Sequence, residues 1–291
     1  VAARAAGLDL LAAGRDPHGD LPGCDLLDPV AVSSCVAAAD PDLIVNAAGA
    51  ASVGQSWAEP AETFAANATG VLNLLEAVAN EAPRAHLLCF SSADVYGVRA
   101  ADEMPLAEEV QPRPATPYGA SKAAMELLCG QYERAHGLSV AVARLFNLIG
   151  PGQSDRFAVP SFARQIAAAE QAGERELELA LGNSAAIRDF VDVRDGARAL
   201  LDLSRRRLSG TFNLCSGQGA TIGDLSAELA RQASIPVRLG EREALKRPVD
   251  PPVLVGDPSR LREAIGFVAE TPISRSLGDL LDEWRARPAS A

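Results

Sequence analysis

Short apolar runs alternate with longer amphipathic stretches through the first half of this chain, and that alternation restricts its fold more than any other feature. Residues 8–13, 43–48, 86–91 and 138–146 read as strands, the second introduced by Asp40-Pro41-Asp42. Residues 63–82 carry Phe64, Val71, Leu74, Leu75 and Val78 at helical spacing. Residues 117–136 read as a second helix, with Pro117 suited to a first turn and Gly137 to a stop. Strands separated by helix-sized connections pair in parallel, because a parallel crossover needs a long return path and covers the sheet with helices. The predicted fold class is α/β, a doubly wound parallel sheet.

From Gly150 onward the turn residues are denser and the elements shorter. Helices are expected at 159–172, 194–206, 222–233, 258–265 and 276–286, with extended segments at 177–181, 211–215 and 236–239. This pattern predicts a second, smaller, mixed α/β unit. The expected division is 1–150 as one unit with 185–208 returning to it, and 151–184 with 209–291 as the other.

Charge and composition exclude several classes. The net charge of −11 comes without any basic block, so nucleic acid is not the expected partner. Every apolar run is interrupted well before the ~18 residues needed to span a bilayer. The three histidines (His18, His86, His136) are scattered, so no metal site is expected. The five cysteines are odd in number and none is spaced C-x-x-C, which reads as reduced thiols in a cytoplasmic protein. Of 27 basic residues only Lys122 and Lys246 are lysines. A lysine retained against that arginine background raises the question of what a guanidinium could not do in its place.

Lys122 closes the segment Tyr118-Gly119-Ala120-Ser121-Lys122. On a helix, i and i+4 share a face, so phenol and ammonium enter the same space. A nearby cation favours the phenolate, so the Tyr118 pKa is expected to fall below ~10 and the phenol to exchange a proton with an alcohol or carbonyl oxygen. One loop earlier, the run Cys89-Phe90-Ser91-Ser92-Ala93-Asp94 ends a buried strand in hydroxyls and a carboxylate, where open parallel sheets hold ligands. Ser92 is placed to serve the same substrate oxygen as Tyr118. By contrast, Gly217-Gln218-Gly219 with Gly223 resembles a phosphate loop with its third glycine displaced. It reads as a strand-to-helix turn capped by Thr221.

These motifs resemble the extended short-chain dehydrogenase/reductase family, the nucleotide-sugar epimerases, dehydratases and reductases. The likeness runs from Cys24-Asp25-Leu26 through Asn46-Ala47-Ala48-Gly49, Asn67, Ser92 and Tyr118/Lys122. It continues through Asn147 to Gln153 and through Arg188-Asp189-Phe190. It implies a Rossmann-type sheet and NADP or NAD as cofactor. Ser92, Tyr118 and Lys122 match the catalytic set, with Asp94 beside them. Arg15, Asp25, Leu26, Asn46, Ala47, Ala48, Gly49 and Asn67 match cofactor positions, together with Tyr118 and Lys122. Ser52, Ser92, Asn147, Arg188, Arg247 and Asp250 match positions that hold the nucleotide-sugar. Arg15 would meet a ribose 2′-phosphate, which leans toward NADP. Residues 1–150 would hold the cofactor and the smaller unit the sugar nucleotide. Pairing of the two long helices between copies would give a homodimer.

One subgroup fits best, the GDP-4-dehydro-6-deoxy-D-mannose reductases, on Ser52 to Trp57, Gly182-Asn183 and Arg247 to Asp250. That implies reduction of a C4 ketone to GDP-rhamnose. A 4,6-dehydratase, a 4-epimerase or a non-catalytic relative is the alternative. Dehydratases of this scaffold usually carry a glutamate where this chain has Asp94, and Ala93 beside it cannot ionise. Residues 1–7 match the end of the family's first helix, so its opening strand and glycine-rich turn are expected to be missing. Without that turn's N–H groups the chain is expected to bind NAD(P) weakly or not at all.

Overall fold

The computed structural model describes residues 7–16, 21, 23–245 and 249–287. Its larger sheet has four parallel strands in the order β1 (Leu43–Asn46), β2 (His86–Ser92), β3 (Ser139–Leu145) and β7 (Gly210–Leu214). Each strand turns alternate side chains to opposite faces, and both faces are covered. On one, Leu87, Cys89, Val140 and Val142 pack under α1 (Pro29–Ala39), α4 (Gly70–Glu81) and α5 (Pro117–His136), meeting Val32, Leu75 and Met125. On the other, Leu88, Ala141 and Ala143 meet Leu200 and Leu203 of α7 (Val193–Arg205) and Leu261 of α9 (Ser259–Ile265). This is the doubly wound arrangement that the strand–helix alternation predicts.

Between β1 and α4 lie α2 (Val53–Ala58) and α3 (Pro60–Phe64), followed by one π turn, Ala65–Thr69. The helix expected over 63–82 is therefore interrupted. The wider turn carries Asn67 inward, 1% exposed, and such bulges tend to sit where a helix serves a site. Residues 8–13, expected as a strand, form none. A strand exists through its neighbour's hydrogen bonds, and neither edge of the large sheet pairs with this segment.

The smaller sheet joins β4 (Asn147–Ile149), β6 (Ile187–Asp192) and β10 (Val253–Leu254) in parallel, with β8 (Gly219–Thr221) antiparallel to β6. A parallel pair, β5 (Leu177–Leu181) and β9 (Val237–Glu241), lies beside it in sequence. Their core is Phe162 and Ile166 of α6 (Ala158–Gln171), Leu225 and Leu229 of α8 (Ile222–Gln232), and Leu277 and Leu281 of α10 (Ile273–Ala286). The expected boundary at 208 put Gly210–Leu214 with this unit, whereas its hydrogen bonds seat it beside β3 in the large sheet. Thr221 Oγ1 accepts the Asp224 N–H at 2.9 Å, so the Gly217–Gly223 segment is a strand and a helix cap. Among the described residues no helix is long and apolar enough to cross a membrane, and all five cysteines are free thiols.

Candidate active site

Helix α5 opens on Thr116, whose Oγ1 accepts the Gly119 N–H at 3.0 Å, with Pro117 in the first turn. Its start presses against the turn after β2. A Cβ on Gly119 would lie 2.6 Å from the Asp94 carbonyl oxygen, so only glycine permits this approach. Tyr118 is thereby buried beside the end of β2, where Ser92 and Asp94 face it. Ser92 Oγ donates to Asp94 Oδ2 at 3.1 Å and accepts the Asp94 N–H at 3.2 Å. One turn along α5, Lys122 Nζ donates to the Phe90 carbonyl at 2.8 Å and sits 6.0 Å from the centre of the Tyr118 ring. Ser92, Asp94, Tyr118 and Lys122 are thus brought together from β2, the turn that follows it and α5.

Their electrostatics differ from the expectation in one respect. Tyr118 is not acidified. Burial, and after it the Asp94 carboxylate, pushes the phenol up to about 12, against which the Ser92 hydroxyl works in the other direction. The Lys122 ammonium, turned to a backbone carbonyl, does not offset the loss of water around the ring. Burial lowers the pKa of Lys122 itself. The phenol stands ready as a proton donor.

The loop after β1 passes Lys122. Asn46 is buried and its Oδ1 accepts the Ala48 N–H at 3.1 Å, whereas Ala47, Ala48 and Gly49 are exposed. Asn67 pins this loop. Its Oδ1 accepts the Ala50 N–H at 2.9 Å, and its Nδ2 donates to the Ala50 carbonyl at 3.0 Å and to Ser121 Oγ at 2.9 Å. Gly49 has φ +141, and a Cβ there would stand 2.4 Å from Asn67 Oδ1 and 3.7 Å from Lys122 Nζ. The result is exposed backbone carrying at most methyl side chains from Ala47 to Gly49, beside an ammonium group, which fits a dinucleotide lying across it. Further along, Arg15 Nε lies 3.9 Å from Asp25 Oδ2, both exposed, and partly buried Leu26 packs under Gly70.

A cavity opens beside Asp94, lined also by Thr116, Asn147, Arg188, Asp250 and Leu254. Arg188 is ion-paired with Asp250, whose other oxygen accepts from Asn183 Nδ2 at 3.0 Å. Asn147 Nδ2 donates to the Asp189 carbonyl at 3.0 Å. Ser52 acts as the N-cap of α2, its Oγ accepting the Gln55 N–H at 3.1 Å, and its neighbour Val53 is what lines the cavity. Arg247 lies outside the described residues. Arg260 is engaged by Glu109 and Glu108. Among the described residues no cluster of histidine, cysteine and carboxylate could hold a metal.

A buried polar set lies behind this site, among residues that the sequence motifs do not single out. Ser91 Oγ donates to Glu126 Oε1 at 2.5 Å, and Arg144 grips both Glu126 oxygens at 2.7–3.2 Å. Glu126 stands four residues beyond Lys122 on the face that carries Tyr118, and Arg144 interrupts an apolar strand. Those two signals were present in the sequence.

Residues 9–279 match the family described as GDP-mannose 4,6 dehydratase. The GDP-6-deoxy-D-mannose reductase of Pseudomonas aeruginosa is 37% identical over 281 residues, covering 95% of this chain and 92% of the relative. The structure of RMD from Pseudomonas aeruginosa complexed with NADPH superposes with a TM-score of 0.84 at 36% identity, covering 91% of this chain and 88% of that one. The UDP-glucose 4-epimerase of Thermus thermophilus complexed with NAD gives a TM-score of 0.84 at 26% identity, covering 98% and 94%. The chain belongs to this family, the nucleotide-sugar-modifying enzymes of the extended short-chain dehydrogenase/reductases, which use a nicotinamide cofactor.

Proposed function

We propose that this enzyme reduces the C4 ketone of a GDP-linked 6-deoxy-hexose, converting GDP-4-dehydro-6-deoxy-mannose to GDP-rhamnose. The observation that carries this reading is the convergence of Ser92, Tyr118 and Lys122 beside an open backbone loop, with Asp94, which Ser92 contacts, lining a cavity that Arg188 also lines. NADPH or NADH, when bound, supplies the hydride. Tyr118 donates its proton to the oxygen at C4, and its raised pKa keeps that proton in place at neutral pH. Ser92 holds the same oxygen, and Lys122 reaches the ribose hydroxyls with a compact ammonium. Arg15 beside Asp25 favours the 2′-phosphate of NADP. Arg188, with Arg247, grips the pyrophosphate in the bidentate manner guanidinium groups allow, Asp250 holds the Arg188 guanidinium in place for it, and the Asn147 amide faces the same cavity.

The domain division belongs to the same reading. Residues 1–146, rejoined by α7 and β7 and covered by α9, hold the cofactor; β4 and β6, expected with that unit, pair instead in the smaller sheet, whose unit holds the sugar nucleotide. We assign the protein to the cytoplasm as a homodimer paired through α4 and α5. Leu127 on α5 is 74% exposed, which a partner helix would cover, and sedimentation velocity would read the dimer directly.

A 4,6-dehydratase is the second reading, favoured by the family match. Against it, removal of water across C5–C6 needs an acid and a base beyond Tyr118. Here Ala93 cannot ionise, and Asp94 is engaged by the Ser92 hydroxyl. The test supplies the 4-keto sugar nucleotide with NADPH, or GDP-mannose with NADP alone. Oxidation of NADPH in the first, abolished by Tyr118→Phe with nucleotide binding spared, is the expected result. Appearance of keto product in the second, or unchanged turnover by Tyr118→Phe, refutes the assignment.

A further inference from the structure

Strand β6 lends Arg188 to the cavity beside Asp94 and, toward its end, Phe190 and Asp192 to a second cavity of about 420 Å³. That volume falls within the ~300–1,000 Å³ of small-molecule sites. The cavity lies in the seam between the two units. The larger unit contributes the chain just after β7 and Arg262 of α9, and the smaller contributes β6, β8 and the start of α10. Residues 267–272, which join α9 to α10, complete the wall. Ser216, Gln218 and Gly219 belong to the glycine-bearing turn that the active site leaves unused. Their neighbour Gly217 has φ +79, and a Cβ there would stand 3.1 Å from Pro258 Cδ, so the turn packs closely against the start of α9.

Three buried aspartates brace this wall. Asp189 accepts the Ser216 and Gly217 N–H groups at 2.7 and 2.9 Å. Asp192 accepts from Ser276 Oγ at 2.6 Å and from the Arg194 guanidinium at 2.7 and 2.8 Å. Asp195 accepts the Thr271 N–H at 2.8 Å and from Arg198 at 2.6 Å. None of the three is more than 1% exposed, so the cavity is braced from within and these carboxylates are already engaged. Glu270, exposed at the rim, lies 3.3 Å from Arg198. Arg262 differs from all of these. Among the described residues its side chain has neither an ion pair nor a hydrogen bond. Phe190, Pro258, Phe267, Pro272 and Ile273 add an apolar, partly aromatic surface.

We propose that this cavity is a second binding site, separate from the active site, for a small organic anion: a flat apolar body lies along Phe190, Phe267 and Ile273, and its acidic group pairs with Arg262. A guanidinium offers parallel N–H groups to a carboxylate, sulfonate or phosphate, and aromatic rings accept a flat partner. A cation would find every carboxylate around the cavity already taken. The inference does not depend on the reaction proposed above.

Anilinonaphthalene sulfonate, which fluoresces when it leaves water, and the uncharged phenylnaphthylamine that lacks its sulfonate are the probes. Wild type is expected to bind one equivalent of the sulfonate, about tenfold or more tighter than the uncharged dye, because the charged pair is made only by the first. Arg262→Ala should weaken the sulfonate by that factor, leave the uncharged dye unchanged and melt with wild type. Ala269→Trp, which fills the cavity, should remove both dyes. Arg188→Ala, at the other cavity, should change neither. Absence of a one-to-one site, an Arg262→Ala or Ala269→Trp protein that binds the sulfonate as wild type does, or loss of the site in Arg188→Ala overturns the proposal. Should Ala269→Trp not fold, the two dyes on Arg262→Ala and Arg188→Ala decide it.

Discussion

Replacing Gly49 with alanine tests the loop between cofactor and ammonium most severely. The residue sits at φ +141, where a side chain is strained, and the new Cβ would stand 2.4 Å from Asn67 Oδ1. Neither side can give way cheaply. Asn67 is 1% exposed and its amide is committed to Ala50 N, Ala50 O and Ser121 Oγ. Backbone strain of this kind costs about 1–3 kcal/mol. Swinging Asn67 aside loses hydrogen bonds each worth roughly 1 kcal/mol net. A total near 2–4 kcal/mol follows, which for a protein of this size lowers the melting temperature on the order of 3–7 °C. The displaced loop also carries the surface on which the dinucleotide would lie, so NADPH affinity should fall at least tenfold, about 1.4 kcal/mol. Differential scanning calorimetry and a fluorescence titration with NADPH measure the two effects. A Gly49→Ala protein that melts with wild type and binds alike would refute the packing argument and the cradle with it.

Three further outcomes are expected. Asp189, fully buried, gathers the N–H groups of Ser216, Gly217 and Gly256 and the Ser216 hydroxyl on one carboxylate. Asp189→Ala should strand those donors and cost more than about 3 kcal/mol in urea unfolding, with Asp189→Asn intermediate. All three tyrosines titrate above their ordinary value of 10.0, chiefly through burial, Tyr96 and Tyr118 near 12. Phenolate absorbance at 295 nm should therefore lag behind that of denatured protein. Folded pKa values above the unfolded ones mean that the native state holds the extra protons. The tyrosines' contribution to stability should be level up to about pH 10 and fall as the pH rises toward 12. Arg188→Ala should raise KM for the sugar nucleotide about 10- to 100-fold with little change in kcat, because it removes grip and leaves the proton donor in place. An unchanged KM would detach the arginine from the substrate.

The elements most legible in the sequence were those fixed by local rules. The helix Pro117–His136 is bounded by a proline and a glycine and was readable to the residue. The strand His86–Ser92 is apolar until it ends in hydroxyls. Less legible was anything depending on a neighbour. Residues 8–13 have strand composition without a strand beside them. Gly210–Leu214 looked like part of the smaller unit because it follows that unit's segments in the chain, yet pairing assigns it to the large sheet. The π turn at Ala65–Thr69 leaves no mark in the helical spacing on either side.

For the site, the sequence alone determined identities and intervals: a phenol and an ammonium four residues apart, two hydroxyls closing a strand, arginines in later loops. Spacing along a helix or strand is set by backbone geometry, so those relations survive any packing. The tertiary structure alone decided how each group is solvated and what it touches. It turned Lys122 toward Phe90 and left Tyr118 a weaker acid than its spacing from a cation implied. It also assembled Ser91, Glu126, Arg144 and Asn213 from four elements into one buried row. Burial and long-range contact depend on where the rest of the chain goes, and no local interval encodes that.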